Sequence, residues 1–325
     1  GRSMAVLTEL RDDDARRLGR LYGLDVVSAR GVLAGSVNSN FELALARGGR
    51  VFLRVYEEQK AGSASGEAAL LDHLAANGVP TPRPLARDGG GFIAEHAGKP
   101  VALFPWVDGE ALCQARVDAG RAFRVGEALA RVHRIAAGFR GRPASRFGPR
   151  DLAARLGALV RRGSISDEVA ALLPDLAHRV DVLVDRTAAS PDGIIHGDLF
   201  RDNVLWSGDE IAALLDFESA SLGTYAFDLM VTVLAWCVGD ALDAELARAM
   251  YAGYVAVRPE GAGDAYTLHE AATYAALRFT ITRITDYEMR PRGLGVYKDF
   301  RRFLARLRAV DALGPKGLAD LLGVA

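Results

Sequence analysis

Ile194-Ile195-His196-Gly197-Asp198-Leu199-Phe200-Arg201-Asp202-Asn203-Val204-Leu205, with Leu214-Leu215-Asp216-Phe217-Glu218 a few residues on, is the stretch that decides the fold. It supplies two carboxylates and an amide in the order that phosphoryl transfer to a hydroxyl requires. Asp198 can accept the proton of an attacking hydroxyl, and Asn203 and Asp216 can hold Mg²⁺ against the phosphates of ATP. Each segment is bracketed by an apolar, strand-like run. Val204-Leu205-Trp206 and Ile211-Ala212-Ala213-Leu214-Leu215 read as two short strands joined by the turn Ser207-Gly208-Asp209-Glu210. Such a hairpin carries Asp216 back toward Asn203, so that both reach one cation. His196 reads as a residue that orients the loop by hydrogen bonding, and Asp202 as a cap or brace.

Working outward, the first third of the chain is strand-rich. Residues 12–21 read as an amphipathic helix, and strand-like runs follow at 24–32, 39–45 and 51–56, with Gly48-Gly49 as the turn between the last two. Residues 66–77 read as a helix stopped by Gly78. Pro80, Pro82 and Pro84 force an extended connector, and 90–95 with 100–104 suggest a further hairpin. Beyond Val107-Asp108-Gly109-Glu110 the apolar spacing turns helical, over 117–135, 167–186, 227–238, 244–256, 267–289 and 298–310. The expectation is an α+β chain of two lobes: a small antiparallel-sheet lobe over 4–104 that binds nucleotide, and a mostly helical lobe over 105–325 that carries catalysis and acceptor binding. Gly1-Arg2-Ser3 ahead of Met4 is set aside as a remnant.

Composition bounds the partners. The 325 residues are 50% hydrophobic and 25% charged, with a net charge of −1. That is an ordinary globular composition, and it advertises neither nucleic acid nor an acidic membrane surface. The two cysteines, Cys113 and Cys237, suggest no disulfide framework and fit a reducing cytoplasm. No apolar run is long enough to span a bilayer and no signal peptide is evident.

On the nucleotide side, the Gly31–Phe41 stretch joins the first two expected strands. Its glycines let backbone amides approach phosphate oxygens, with Ser36, Asn38 and Ser39 as added donors. Arg54, in Phe52-Leu53-Arg54-Val55-Tyr56, occupies the strand position where kinases carry a lysine. A permanent cation there can hold phosphate, and its natural partner is Glu67 on the following helix. An outward Arg–Glu pair that only aids solubility gives the same pattern. Phe104 and Trp106 flank the expected link between lobes, where they read as adenine walls or equally as core.

These motifs resemble the aminoglycoside-phosphotransferase-like, protein-kinase-like superfamily of small-molecule kinases, and within it the bacterial homoserine kinases. The resemblance covers nearly the whole chain. It rests on Gly35-Ser36-Val37-Asn38-Ser39-Asn40-Phe41, on His196–Val204, on Phe227-Asp228-Leu229 through Ala235-Trp236-Cys237, and on Ala276–Arg283. It departs at Arg201, where a proline is common, and at Arg54. The resemblance implies an ATP- and Mg²⁺-dependent kinase of a small alcohol, L-homoserine first. Choline, methylthioribose and aminoglycosides are the alternative acceptors, and a non-catalytic nucleotide-binding protein is the alternative from another class. A homoserine site must hold a carboxylate, an ammonium and a free hydroxyl. Arg278 and Arg283, embedded among apolar neighbours on one expected helix, can clamp the carboxylate. Asp286 is expected to pair with Arg283, and Asp228, Glu218 or another acid to meet the ammonium.

Overall fold

A computed structural model describes residues 8–32, 37–186, 190–289 and 297–325. The chain separates into two compact units. One comprises Gly1–Gly109, Phe139–Gly141 and Ala212–Glu218, and the other the remainder.

The first unit is built on a five-stranded antiparallel sheet. Helix α1 (Asp12–Leu21) precedes strands β1 (Val26–Val32), β2 (Ser39–Leu45) and β3 (Arg50–Val55); helix α2 (Ala61–Ala76) follows, then β4 (Ala94–His96) and β5 (Lys99–Pro105). The spatial order is β1-β2-β3-β5-β4. Gly48 and Gly49 take positive φ of 88° and 80°, which lets the β2–β3 turn close as the sequence suggests. Alternation sorts the strands into two faces. Phe41, Leu43, Leu53, Val55, Val101 and Leu103 point to one side and form the core with Ala15 and Leu18 of α1. The opposite face holds Asn40, Arg54 and Ala102 in one cross-strand row and Phe52 and Phe104 in the next. Helix α2 starts five residues before the expected Gly66. Its first two turns hold Gly62, Ser63, Ser65 and Gly66, poor helix formers that hide the start.

The second unit is mostly helical: α3 (Ala119–Ala136), α4 (Pro149–Arg162), α5 (Asp167–Arg186), α6 (Tyr225–Trp236), α7 (Ala244–Val257), α8 (Ala265–Arg283) and α9 (Phe300–Leu322). Side-chain caps fix several starts. Asp118, Thr224, Asp243 and Asp264 each accept from a backbone N–H in the first turn. Gly126 of α3 and Gly253 of α7 let these helices pack backbone to backbone. A Cβ at Gly126 would lie 2.0 Å from the Met250 carbonyl, and one at Gly253 would lie 2.0 Å from that of Phe123. Short strands β6 (Gly193–Ile195) and β9 (Ser221–Gly223) pair, and β7 (Val204–Ser207) pairs with β8 (Glu210–Leu214), as the expected hairpin.

Three helical expectations are corrected. α4 is absent from the sequence reading altogether. The expected helix 267–289 ends as α-helix at Arg283 and continues as a π-helical turn, Ile284–Glu288. α9 runs on to Leu322 through a kink at Gly314, where φ is 63° before Pro315.

Candidate active site

The loop after β6 is braced from below. Asp228, in the first turn of α6, is fully buried. One carboxylate oxygen accepts the His196 N–H at 2.9 Å and the other accepts the Gly197 N–H at 2.8 Å. His133 of α3 adds a third bond, Nε2 to Asp228 Oδ2 at 2.7 Å. Behind it, Arg258 donates to the Tyr254 hydroxyl at 2.7 Å, and that hydroxyl bonds His133 Nδ1 at 2.7 Å. A carboxylate can only accept, so Nε2 carries the hydrogen given to Asp228. Burial pushes the Asp228 carboxyl up, but the His133 bond, the nearby imidazoles and the Gly197 amide outweigh it and hold it below the usual range. This corrects the expectation that Asp228 meets a substrate ammonium: its acceptor positions are spent on the loop.

Above this brace, Gly197 takes φ 84°, a conformation that favours glycine. The Asp198 N–H donates to His196 Nδ1 at 3.1 Å. His196 is itself fully buried, so the imidazole acts on the loop backbone. The Asp198 carbonyl accepts from Phe200 N at 2.8 Å and from Asn203 Nδ2 at 2.7 Å. The second bond commits the amide nitrogen of Asn203 and orients its Oδ1. Trp236 is core and donates from Nε1 to the Leu199 carbonyl at 2.8 Å. The Asp198 side chain is half-buried.

Arg278 and Arg283 of α8 are both buried, and the charge of Asp198 bears on each. Arg278 stacks on Phe147 and Phe279, with its Cζ 3.8 and 4.0 Å from the ring centroids, and donates to Thr282 Oγ1 at 2.8 Å. Burial pulls its guanidinium down to about 10, against the pull of Asp198. Arg283 donates to the Asp299 carbonyl at 3.1 Å and lies over Phe303. Burial lowers it as well. The expected Arg283–Asp286 pair does not form. Asp286 pairs instead with Arg155 at 2.9 Å, and Arg155 belongs to α4, the helix the sequence reading lacked.

In the sheet unit, Arg54 Nε donates to Asn40 Oδ1 at 3.2 Å across the β2–β3 pair. It forms no ion pair with Glu67, which corrects the expected partnership. Both carboxylate oxygens of Glu67 are buried without a hydrogen-bond partner, as is the Tyr56 hydroxyl. Burial raises the Glu67 carboxyl to about 7; Arg54 and the neighbouring Tyr56 hydroxyl pull it down, and Glu218 and Asp216 push it up. Asp216 sits at φ 55°, a left-handed position that Asp tolerates, and its Oδ1 accepts the Glu218 N–H at 3.3 Å. Gln59 donates to Glu218 at 3.2 Å. Phe104 is buried edge-on to Phe52, while Trp106 lies against Phe52 and under the Arg50 guanidinium. Asn38 is buried and its Oδ1 accepts the Glu57 N–H at 3.2 Å. Ser36 lies outside the described residues. Among the described residues no cluster of three or more His, Cys, Asp or Glu could hold a metal ion. The Asn203 Oδ1, left free by its committed nitrogen, and the Asp216 carboxylate are hard oxygen donors of the kind Mg²⁺ takes.

Sequence reading did not find the Asp228–His133–Tyr254–Arg258 brace. A lone acid in the apolar run Tyr225–Trp236 was a signal that a partner existed, but its identity was out of reach.

Against known proteins, the model of the phosphotransferase enzyme family matches residues 28–263. A homoserine kinase of Methylocella silvestris is 35% identical over 318 residues, 96% of this chain and 97% of its own. A homoserine kinase of Burkholderia mallei is 36% identical over 311 residues, 91% and 92% of the two chains. Among solved structures, an amicoumacin kinase in complex with AMP-PNP, Ca²⁺ and Ami superposes with a TM-score of 0.68 at 15% identity, over 93% of this chain and 95% of that one. The fold is thus the α+β protein-kinase-like fold. The chain belongs to the phosphotransferase enzyme family, as an enzyme whose acceptor group is an alcohol. The homoserine kinases just described are among its relatives in that family. Among the described residues, no helix is long and apolar enough to cross a membrane.

Proposed function

We propose that this enzyme transfers the γ-phosphoryl group of ATP to the side-chain hydroxyl of L-homoserine, with Mg²⁺, in the cytoplasm. The observation that carries the reading is the braced loop. A fully buried Asp228 holds the His196 and Gly197 amides, so Asp198 is presented half-buried on a fixed backbone, with two buried arginines acting on it. Asp198 is the base that takes the hydroxyl proton, and His196 positions it through the Asp198 N–H. Arg278 and Arg283 supply the cations an amino-acid carboxylate needs.

On the donor side, residues 4–104 form the nucleotide lobe and 105–325 the catalytic and acceptor lobe. Arg54 and Phe104 share the sheet face opposite the core. They bind the nucleotide with Trp106, with Ser36 and Asn38 of the β1–β2 turn, and with Glu67. Asn203 Oδ1 and the Asp216 carboxylate hold the Mg²⁺, which neutralises phosphate charge when bound.

The test is an ADP-release assay over a panel of alcohols: L-homoserine, 3-aminopropanol, choline, methylthioribose and an aminoglycoside. Homoserine is expected to give the highest kcat/KM. Preference for any other member would overturn the acceptor assignment, and no ADP release with any of them would overturn kinase activity on this class.

A further inference from the structure

The helical unit contains a cavity of about 620 Å³ between the loop residues Phe200–Asp202 and the start of α9. Five basic side chains line it, Arg201, Arg283, Lys298, Arg302 and Arg306, against two carboxylates, Asp202 and Asp299. One of these acids is already engaged: Asp299 caps α9 and accepts from the Arg301 side chain at 3.0 Å. Among the described residues, none of the five cations has a carboxylate within ion-pair distance. Arg201 is held by the Leu112 carbonyl at 3.1 Å, and Arg283 by the Asp299 carbonyl. Arg283 and Arg306 both lie over the ring of Phe303, at 4.5 and 4.4 Å. The Nε of Arg306 is buried with no hydrogen-bond partner. Burial lowers this guanidinium to about 10, and Arg283, Arg302 and Arg201 lower it further by repulsion.

Gathering uncompensated cations around a cavity is unfavourable unless something anionic enters it. A single carboxylate would leave most of this charge unanswered, and the volume exceeds what a lone carboxylate needs. We propose that the cavity is a binding site for a small molecule carrying two or more oxyanion charges, with phosphate as the recognised group. The ligand is either inorganic phosphate or a phosphorylated amino acid, the class to which the product of the proposed reaction belongs. Only that second source rests on the proposed function. The planar guanidinium forks suit phosphate oxygens, and the Phe303 ring keeps two of them aligned.

The test is calorimetric titration of the full chain with three probes: inorganic phosphate, O-phospho-L-serine and O-phosphoethanolamine. Each is run with and without saturating AMP-PNP and Mg²⁺, which separates the cavity from the nucleotide site, and against chloride at matched ionic strength. Saturable binding that persists with AMP-PNP is expected. Arg302→Gln and Arg306→Gln should each weaken it by about tenfold or more, the loss of one charge-assisted hydrogen bond. Tighter binding of phosphoserine than of phosphoethanolamine would assign the phosphorylated amino acid, and equal binding of all three would assign free phosphate. No saturable binding to the wild type, or dissociation constants unchanged in both variants, would overturn the inference. Arg302 is exposed, so its variant remains informative if Arg306→Gln fails to fold. Homoserine turnover is measured separately. Its absence alongside phosphate binding would remove the proposed acceptor and leave the cavity assignment standing.

Discussion

Asp228 and Glu67 are both acids removed from solvent, Asp228 whole and Glu67 at both carboxylate oxygens, yet the protein treats them in opposite ways. Asp228 accepts from His133 and from two loop amides, and its carboxyl is held low. Glu67 has only the Tyr56 hydroxyl acting on it as a donor, outside good hydrogen-bond geometry, and burial raises its carboxyl to about 7. The same functional group in equally dry surroundings is therefore a completed brace in one unit and an open valence in the other. A satisfied group belongs to the fold, and its loss is read in stability. An unsatisfied one waits for a ligand, and its loss is read in binding or rate.

The largest effect expected from this division is at the residue the brace presents. Asp198→Asn should lower kcat on the order of 10² to 10⁴, the range of general-base help, while the melting temperature stays near wild type. Near-normal turnover at saturating acceptor would remove Asp198 as the base. Asp228→Ala should behave in the reverse order, losing stability first. Taking one partner from a buried pair costs about 3–5 kcal/mol, readable as a shift of the urea midpoint. A variant of wild-type stability would mean that the brace is not structural.

Glu67 sharpens the comparison through pH. Its folded-state pKa of about 7 lies above the ordinary 4.5, so the native state holds the proton more tightly than the unfolded chain. Below pH 4.5 both states are protonated and nothing is lost. Between about 4.5 and 7 the unfolded chain gives up its proton first, and stability falls by on the order of 3 kcal/mol before levelling off. Urea melts of nucleotide-free protein should show this decline, and Glu67→Gln should abolish it while weakening nucleotide binding. If the variant shows the same decline, another group is responsible. The metal ligands should fall between these cases. Asp216→Asn and Asn203→Ala are expected to raise the Mg²⁺ concentration for half-maximal rate by roughly tenfold or more. Magnesium titrations that overlay the wild type would reject the assignment.

What the sequence disclosed follows the same line. Local signals were readable. The runs 39–45 and 51–56 read as strands and His196–Asn203 as the loop, but Phe104, expected at the link between lobes, stands in β5 on the same sheet face as Arg54. Partners far along the chain were not readable. Asp228 and His133 are 95 residues apart, and an acid in an apolar run does not say which residue meets it. α4 carries a helix signature, Pro149 in its first turn with Leu152, Leu156 and Leu159 on one face. It follows a Gly- and Arg-rich stretch that reads as loop. Missing it left Asp286 without Arg155 and gave it to Arg283 instead. Glu67 was placed on the right helix, but pairing Arg54 with it overlooked Asn40, which faces Arg54 across the strand and takes the hydrogen bond.

The two arginines of α8 repeat the contrast among cations, and they carry the smallest expected effect. Arg278 is enclosed by two aromatic rings and bonded to Thr282, whereas Arg283 lines an open cavity, with one ring beside it and a bond to the Asp299 carbonyl. Either change to alanine should raise the acceptor KM by about tenfold and leave that of ATP in place, since one charge-assisted hydrogen bond is worth about 1.5–3 kcal/mol. Arg278→Ala should also lower the melting temperature, because it removes the filling between Phe147 and Phe279. Arg283→Ala should not. The comparison that isolates the carboxylate is L-homoserine against 3-aminopropanol, which lacks it. Wild type should strongly prefer the amino acid, and the variant that has lost the clamp should lose that preference. Equal use of both acceptors by the wild type would mean that neither arginine reads a carboxylate. The open cation would then answer only to the phosphate-bearing ligand of its cavity.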